Sequence, residues 1–228
     1  IRELTLTINA PVNDAINAQQ LLNVESGTLT ISAADDAIHS DLVLNIGGDG
    51  TDGPTIAITE CYEGIEAAEL NVLSGNIDIL SSDDCLNAAN SDLSGYAFSM
   101  NISGGVITAC SSSGDGFDSN GDLTISGGTV AVWTANAADN QPLDADGAIT
   151  VSGGTVLAAG GSAGMGMNLT AEQPCVTFGS TGGMGGGRPG DMDGGSASIA
   201  KDAAVTITGS DGSAVYSGTA LCLSLIHI

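Results

Sequence analysis

The residues best suited to chemistry are acidic side chains at fixed places in a repeated six-residue motif, here called the cassette. Its copies are NDAINA at 13–18, DDAIHS at 35–40, YEGIEA at 62–67, DDCLNA at 83–88, GDGFDS at 114–119 and the shortened QPLDA at 141–145. The second position is acidic in the first five copies, and the fifth position is acidic in three. Carboxylate oxygens in such an arrangement are ligands for a hard divalent cation, and paired carboxylates also serve acid–base hydrolysis.

Calcium suits these positions better than magnesium on geometric grounds. Equivalent residues on neighbouring parallel strands lie about 4.7–4.9 Å apart, and unbridged carboxylates at that spacing repel by roughly 1–3 kcal/mol per pair. Calcium, with oxygen ligands at about 2.3–2.6 Å, can bridge the gap, whereas magnesium needs about 2.0–2.1 Å and octahedral geometry. The alternative is a solvated acidic face without specific metal. We predict Ca²⁺ as the cofactor, with these ligands: Asp35, Asp36, Glu63, Asp83, Asp84, Asp115 and Asp118.

Composition excludes several classes of partner. The chain carries 27 Asp and Glu against 3 Lys and Arg, for a net charge of −24. Nucleic acid is excluded because phosphate binding needs clustered cations, and an anionic membrane surface is disfavoured for the same reason. No segment has the roughly 18 apolar residues of a membrane span, so we predict no membrane insertion. A hydrophobic content of 42% argues against disorder.

Short strands must position these acids. The fifth cassette position recurs every 21 to 31 residues, and between cassettes two alternating apolar strands flank a glycine turn, as in LTISGGTVAVW at 123–133. Alternation with a period of two indicates strands, and one motif repeated at this spacing favours a solenoid. We predict an all-β fold, a right-handed parallel β-helix with three faces per coil. The fourth cassette position should form an interior apolar ladder, and the fifth should point outward.

The predicted organisation is a single β-helix domain over residues 1–220. It is interpreted as truncated at the N-terminus, because the chain opens on a strand pattern. The insert 90–100 should form a surface loop, and the Gly/Met-rich segment 178–195 a flexible loop. Residues 221–228 break the repeat and are interpreted as a non-native tail. We expect a monomer.

Several of these segments together resemble a known family. DDAIHSD, EGIEA, DDCLNAA, GDGFDSNGDLTISGG and DADGAITVSGG occur in order and are similar to the carbohydrate-binding β-helix family of cellulolytic clostridia and gut Firmicutes. The resemblance covers about residues 1–220. It implies a secreted or cell-surface protein with a pectate-lyase-like fold, bound calcium and plant cell-wall polysaccharides, including acidic ones, as partners. Tyr62 and Gly114 depart from the acid expected at the first cassette position.

Binding is favoured over cleavage. Lyase chemistry commonly needs an Arg or Lys base beside calcium, and the only candidates are Arg2, Arg188 and Lys201. We therefore predict a calcium-binding protein that binds acidic polysaccharide without cleaving it. The alternatives are a calcium-dependent polysaccharide lyase and a structural or adhesive surface solenoid. Aromatic rings can stack on pyranose rings, and the candidates for sugar stacking are Tyr62, Tyr96 and Trp133.

Overall fold

A computed structural model describes residues 1–135, 137, 140–161, 169–175, 198–222 and 224–227. This part of the chain is built from strands, and it contains no helix that could cross a membrane. The strands are β1 (Leu4–Ala10), β2 (Ile16–Ala18), β3 (Leu21–Val24), β4 (Gly27–Ala33), β5 (Ile38–Ile46), β6 (Thr55–Glu60), β7 (Ile65–Val72), β8 (Asn76–Ser81), β9 (Leu86–Ala88), β10 (Ser99–Ile102), β11 (Val106–Ser111), β12 (Phe117–Ser119), β13 (Asp122–Ile125), β14 (Thr129–Thr134), β15 (Ile149–Val151), β16 (Thr155–Gly160), β17 (Leu169–Ala171), β18 (Ser198–Ile199), β19 (Ala204–Thr208), β20 (Ala214–Thr219) and β21 (Ser224–His227).

Parallel strands stack into a β-solenoid of about six turns, as the repeat predicted. One sheet collects the strands that follow the glycine turns, in the order β1-β4-β6-β8-β11-β14-β16. The second sheet holds the cassette strands and the strands before the glycines. In β5 and β7 these two strands run on without a break, and the register shifts between Ser40 and Val43 where the coil bends. The insert forms a loop between β9 and β10, as predicted, but its predicted last two residues, Ser99 and Met100, belong to β10.

The predicted apolar ladder lies inside the solenoid. The fourth cassette position pairs coil by coil, in the order Ile16, Ile38, Ile65, Leu86, Phe117 and Leu143. All of these side chains except the half-buried Ile16 are almost fully buried. Burying a side chain of this size contributes about 1.5–3 kcal/mol, so the ladder fixes the register that places the neighbouring acids.

Close contact between coils explains the small residues at the third cassette position. A Cβ atom at Gly64 would lie 2.2 Å from the Cys85 carbonyl oxygen, and one at Gly116 would lie 2.1 Å from Val132 Cγ1. Neither neighbour can move without disturbing the interior. The cassette backbone therefore packs tightly enough to hold successive acids at the strand spacing.

In the described part of the chain, β17 is the last strand that pairs in the parallel register, and the predicted extent of the β-helix domain, residues 1–220, stays a prediction. β19 and β20 pair antiparallel, because the short turn between them returns the chain directly beside itself. The predicted Gly/Met-rich loop at 178–195 lies outside the described residues. At the C-terminus, β21 pairs antiparallel with β16, and a disulfide joins Cys110 to Cys222. The non-native origin of 221–228 stays a prediction.

Candidate functional site

Carboxylates at the second cassette position form hydrogen bonds between neighbouring coils, a structural role that the sequence did not reveal. Asp84 Oδ1 accepts a hydrogen bond of 2.7 Å from the backbone N–H of Asp115 in the next coil. Asp115 Oδ1 in turn accepts one of 2.5 Å from the backbone N–H of Gln141. Asp14 Oδ1 receives the Asp36 N–H at a longer 3.4 Å. One oxygen of each of these carboxylates thus links two coils. The other oxygen of Asp14 accepts a 2.6 Å hydrogen bond from Asn17 Nδ2.

The first acidic group, here called the His39 cluster, comprises Asp36, His39, Asp41 and Glu66. His39 Nδ1 lies 3.1 Å from Asp36 Oδ2 and 2.9 Å from Glu66 Oε2, and its Nε2 lies 3.1 Å from Asp41 Oδ1. Hydrogen bonds that His39 donates to the carboxylates of Asp36 and Glu66 raise the pKa of His39 to about 11, against the opposing effect of burial. The imidazolium is therefore a cation supplied by the protein itself, surrounded by three carboxylates.

Stacking and the insert build this cluster together. Ile38 pairs with Ile65, which brings His39 beside Glu66 on the neighbouring coil. The insert also contacts this cluster, because Asn90 Nδ2 donates a 2.8 Å hydrogen bond to the Asp41 carbonyl oxygen. Side chains of His39, Asp36 and Glu66 are only 11–17% exposed, so these charges attract each other with little screening by water.

The second group, here called the Asp118 cluster, comprises Asp115, Asp118 and Asp144. One carboxylate oxygen of each lies within 4.8 Å of the others. In the described part of the chain, none of the three forms a salt bridge. Burial, followed by repulsion from neighbouring carboxylates, raises the pKa of Asp115 to about 7 and that of Asp118 to about 6. This cluster therefore brings three carboxyl groups together without a cation of its own.

Between the two clusters, Glu63 and Asp84 continue the acidic column. Burial raises the pKa of Glu63 to about 8, although Asn87 Nδ2 donates a 2.9 Å hydrogen bond to it. Burial also raises the pKa of Asp84 to about 7. Raised carboxyl pKa values mean that the fold disfavours the charged form of these groups. A positive ion nearby would reverse that preference.

The structure brings only part of the predicted ligand set together. Asp35 and Asp36 lie with Asp14 in one group, and Asp115 and Asp118 lie with Asp144 in another. Glu63, Asp83 and Asp84 belong to neither group. Asp14 and Asp144 complete these two groups. Neither was among the predicted ligands, although each occupies a cassette position held by acids in other coils.

The glycine at the first cassette position has a packing reason. A Cβ atom at Gly114 would lie 2.2 Å from Asp83 Oδ1 and 2.6 Å from Asp84 Oδ1. An aspartate at this position would therefore collide with the two acids of the preceding coil. Tyr62, the other departure from the motif, forms a hydrogen bond with Asp83 that raises the pKa of Tyr62 to about 12.

Two buried side-chain amide oxygens lie at cassette positions that acids hold in other coils. Asn87 Oδ1 and Gln141 Oε1 have no hydrogen-bond partner, although both residues are more than nine-tenths buried. Asn87 contacts Glu63 through its other amide atom, and Gln141 follows Asp115 in the second-position column. A buried carbonyl oxygen without a partner is costly, and calcium accepts such oxygens as ligands.

Comparison with known protein families shows which family the chain belongs to. A family model described as carbohydrate-binding domain-containing protein matches residues 3–164. The chain belongs to this family. The match spans both acidic clusters and the coils that carry them. No curated protein and no solved structure matches the chain significantly.

The three aromatic residues predicted to stack on sugars lie in different settings in this member of the carbohydrate-binding domain family. Tyr62 is 48% exposed beside Asp83. Tyr96 is half-buried in the insert, with its ring centroid 5.7 Å from that of Phe98. Trp133 is fully buried, in a small core with Val205 and Cys222, so its ring has no face open to a sugar here. For Trp133 the structure thus corrects the prediction, because the C-terminal segment covers it.

Proposed function

We propose that the protein is an extracellular or cell-surface calcium-binding β-solenoid that binds plant cell-wall polysaccharide, of the acidic polygalacturonate type, without cleaving it. Membership of the carbohydrate-binding domain family supports a polysaccharide as the partner. The observation that carries the calcium part is the Asp118 cluster, where three carboxylates converge within 4.8 Å without a salt bridge in the described part of the chain.

The donor set fits calcium. Asp115, Asp118 and Asp144 offer hard oxygen ligands, and the buried amide oxygens of Asn87 and Gln141 are of the neutral type that calcium also accepts. Among the described residues, this cluster contains neither cysteine nor histidine, which disfavours a zinc site. Bound calcium would supply a positive charge that stabilises the ionised carboxylates and offers a further coordination position to a sugar carboxylate.

Binding an acidic polymer follows from charge. A chain with a net charge of −24 repels polyuronate, unless a divalent cation joins the two anions. Calcium at the acidic column would reconcile them, because its 6–8 ligand positions can be shared between protein and sugar. The proposal therefore requires that binding of polygalacturonate depends on calcium.

The absence of cleavage is supported by the positions of the described cations. Arg2 is paired with Glu25, and Lys201 lies exposed beyond the parallel coils. Neither forms an ion pair with the acids of the two clusters. His39 is held by its three carboxylates and is protonated at neutral pH, so it is a poor proton acceptor.

A titration with and without calcium tests the proposal. The protein is titrated with polygalacturonate in calcium and in chelator, and each mixture is assayed for unsaturated products by ultraviolet absorbance. We expect binding in calcium only, without product. Product formation would establish a lyase. Calcium that raises the melting temperature while neither polygalacturonate nor another wall polymer binds would establish a structural solenoid.

A further inference from the structure

The His39 cluster contains an imidazole nitrogen, a type of metal ligand that the Asp118 cluster lacks among its described residues. His39 Nδ1, one oxygen of Asp36 and one oxygen of Glu66 all lie within 4.8 Å of one another. Nitrogen combined with carboxylate oxygen is a ligand set that zinc and other divalent transition metals take in proteins. Calcium, by contrast, takes oxygen ligands. The two clusters therefore offer ligands to two different classes of ion.

The three atoms are spaced almost as ligands around zinc are. Nδ1 lies 3.1 Å from Asp36 Oδ2 and 2.9 Å from Glu66 Oε2. Ligands at about 2.0–2.2 Å from a tetrahedral ion lie about 3.3–3.6 Å from one another. The Nδ1–H group points at both oxygens, so an ion that replaces this hydrogen would lie between the same three atoms. A small outward movement of the two carboxylates is enough to admit it.

Asp41 holds the histidine ring in the orientation that such a site requires. His39 Nε2 lies 3.1 Å from Asp41 Oδ1, so Nε2 keeps its hydrogen and donates it to this carboxylate. A histidine that binds a metal through one ring nitrogen commonly donates from the other to a carboxylate, which fixes the tautomer and the ring. Asn90 holds the backbone of Asp41 in turn. The ring is therefore oriented before an ion arrives.

The charge of the cluster also favours a divalent ion. Three ionised carboxylates around one imidazolium leave two negative charges without compensation. Burial, together with the neighbouring Glu66, raises the pKa of Asp36 to about 6 despite the hydrogen bond from His39. A divalent ion on a neutral imidazole would leave only one negative charge. The exchange of a proton for such an ion therefore lowers the repulsion that remains.

An ion at this place would join two coils. Asp36 and His39 belong to the cassette at 35–40, whereas Glu66 belongs to the cassette at 62–67, where it pairs with His39. The unfolded chain does not bring these residues together. Binding would therefore stabilise the folded state and raise its melting temperature.

We infer that His39 Nδ1, Asp36 Oδ2 and Glu66 Oε2 bind a divalent transition-metal ion of the zinc type. Asp41 is the positioning residue, and water takes the fourth place around the ion. The ion replaces the Nδ1 proton, which passes to solvent. This site goes beyond the proposed function, because it depends neither on calcium at the Asp118 cluster nor on a polysaccharide.

Titration of the metal-free protein with Co²⁺ and then Zn²⁺ tests the site. We expect one equivalent of Co²⁺ to give the visible absorption of a four-coordinate ion, and Zn²⁺ to displace it and raise the melting temperature. His39→Asn should weaken binding at least about a hundredfold, because one of the three ligands is lost. Asp118→Asn, from the other cluster, is the matched control and should change affinity less than about twofold. If melting shows that His39→Asn does not fold, Glu66→Gln takes its place.

Two variants of Asp41 test its positioning role. Asp41→Ala should weaken Co²⁺ binding about tenfold without changing the shape of the absorption spectrum, because all three ligands remain. Asp41→Asn should restore most of the affinity, since its amide oxygen still accepts the Nε2–H hydrogen bond. Equal weakening in both variants would show that the hydrogen bond does not orient the ring.

The outcomes separate this site from the calcium site. Absence of Co²⁺ and Zn²⁺ binding by the wild type, or equal binding by the wild type and His39→Asn, would overturn the inference. Loss of Zn²⁺ binding in Asp118→Asn but not in His39→Asn would do the same, because the ion would then lie in the other cluster. None of these results decides whether calcium supports binding of polygalacturonate, which is judged by its own titration.

Discussion

The two acidic clusters solve the same electrostatic problem in different ways. In the His39 cluster, an imidazolium within 3.1 Å of three carboxylates neutralises part of their charge. In the Asp118 cluster, three carboxylates converge and no described residue forms a salt bridge with them. Both occupy the same cassette positions, several coils apart.

The difference between the two clusters indicates which acidic side chains favour the binding of a metal ion. A protonated histidine and a calcium ion would compete for the same oxygens, so we expect the cluster with its own cation to bind calcium less well. We therefore place the calcium site of the proposed function at the Asp118 cluster. On this proposal, the column of equivalent acids is not a series of equivalent metal sites.

Changing pH should have the largest effect on stability. Carboxyl groups in the unfolded chain have a pKa of about 4. In the folded protein the pKa is about 6 for Asp118, about 7 for Asp84 and Asp115, and about 8 for Glu63. Between these pH values the folded state binds more protons than the unfolded state. The contribution of these four carboxyl groups to stability is therefore fully present below pH 4 and is lost as the pH rises to about 8. After allowance for solvent screening, the loss in chelator should be on the order of 5 kcal/mol.

Thermal melts from pH 4 to pH 10 measure this loss. Calcium should flatten the decline, because it favours the ionised carboxylates. His39 behaves differently, since its stabilisation is full below its unfolded pKa of about 6.5 and is lost as pH rises through about 11. A melting temperature that rises between pH 5 and 8 in chelator would contradict the assignment of buried, uncompensated acids.

Replacing the histidine should convert the first cluster into a copy of the second. His39→Asn introduces the residue found at this position in Asn17 and Asn87. It leaves Asp36 and Glu66 without their cation, which should cost roughly 2–4 kcal/mol in chelator. Added calcium should restore more stability to His39→Asn than to the wild type. His39→Lys is the control that keeps a cation; if it and His39→Asn melt alike, the charge of His39 is not what stabilises the cluster.

Neutralising the second cluster should have a smaller effect of opposite sign. Asp118→Asn removes one of three repelling carboxylates, so in chelator it should raise the free energy of unfolding by about 1–2 kcal/mol. It should also reduce the stabilisation by calcium, which differential scanning calorimetry measures. Asp92→Asn, in the exposed insert, is the control for a change in net charge. Full stabilisation by calcium in Asp118→Asn would move the site elsewhere.

The smallest effect concerns Tyr62. Tyr62→Phe removes only an exposed hydrogen bond with Asp83, so the melting temperature should hardly change. If the ring stacks on sugar beside the acidic column, Tyr62→Ala should weaken polygalacturonate binding roughly three- to tenfold, while Tyr62→Phe keeps it. Equal affinities for all three proteins would exclude Tyr62 from the binding surface.

The coils and their interior could be predicted because alternation and repetition are properties of the sequence itself. Ile38, Ile65 and Leu86 recur at one cassette position, and they stack as expected. The C-terminal hairpin was not predicted, since β19 shows the same alternation as a solenoid strand. Only the short turn after it decides that its partner is β20 instead of the preceding coil.

The residue types of the candidate site could be predicted from the sequence, but the contacts between these residues could not. His39 was expected to be an outward residue, and its three carboxylates come from its own cassette, the next coil and the segment just after it. The role of Asp84 and Asp115 as acceptors for backbone N–H groups depends on the tilt of each side chain.

Calcium anomalous scattering from crystals grown with the ion tests the central claim most directly. The account predicts an anomalous peak among Asp115, Asp118 and Asp144, and none among Asp36, His39 and Glu66. A peak at the His39 cluster with none at the Asp118 cluster would contradict it, because the resident imidazolium would then not decide where calcium binds.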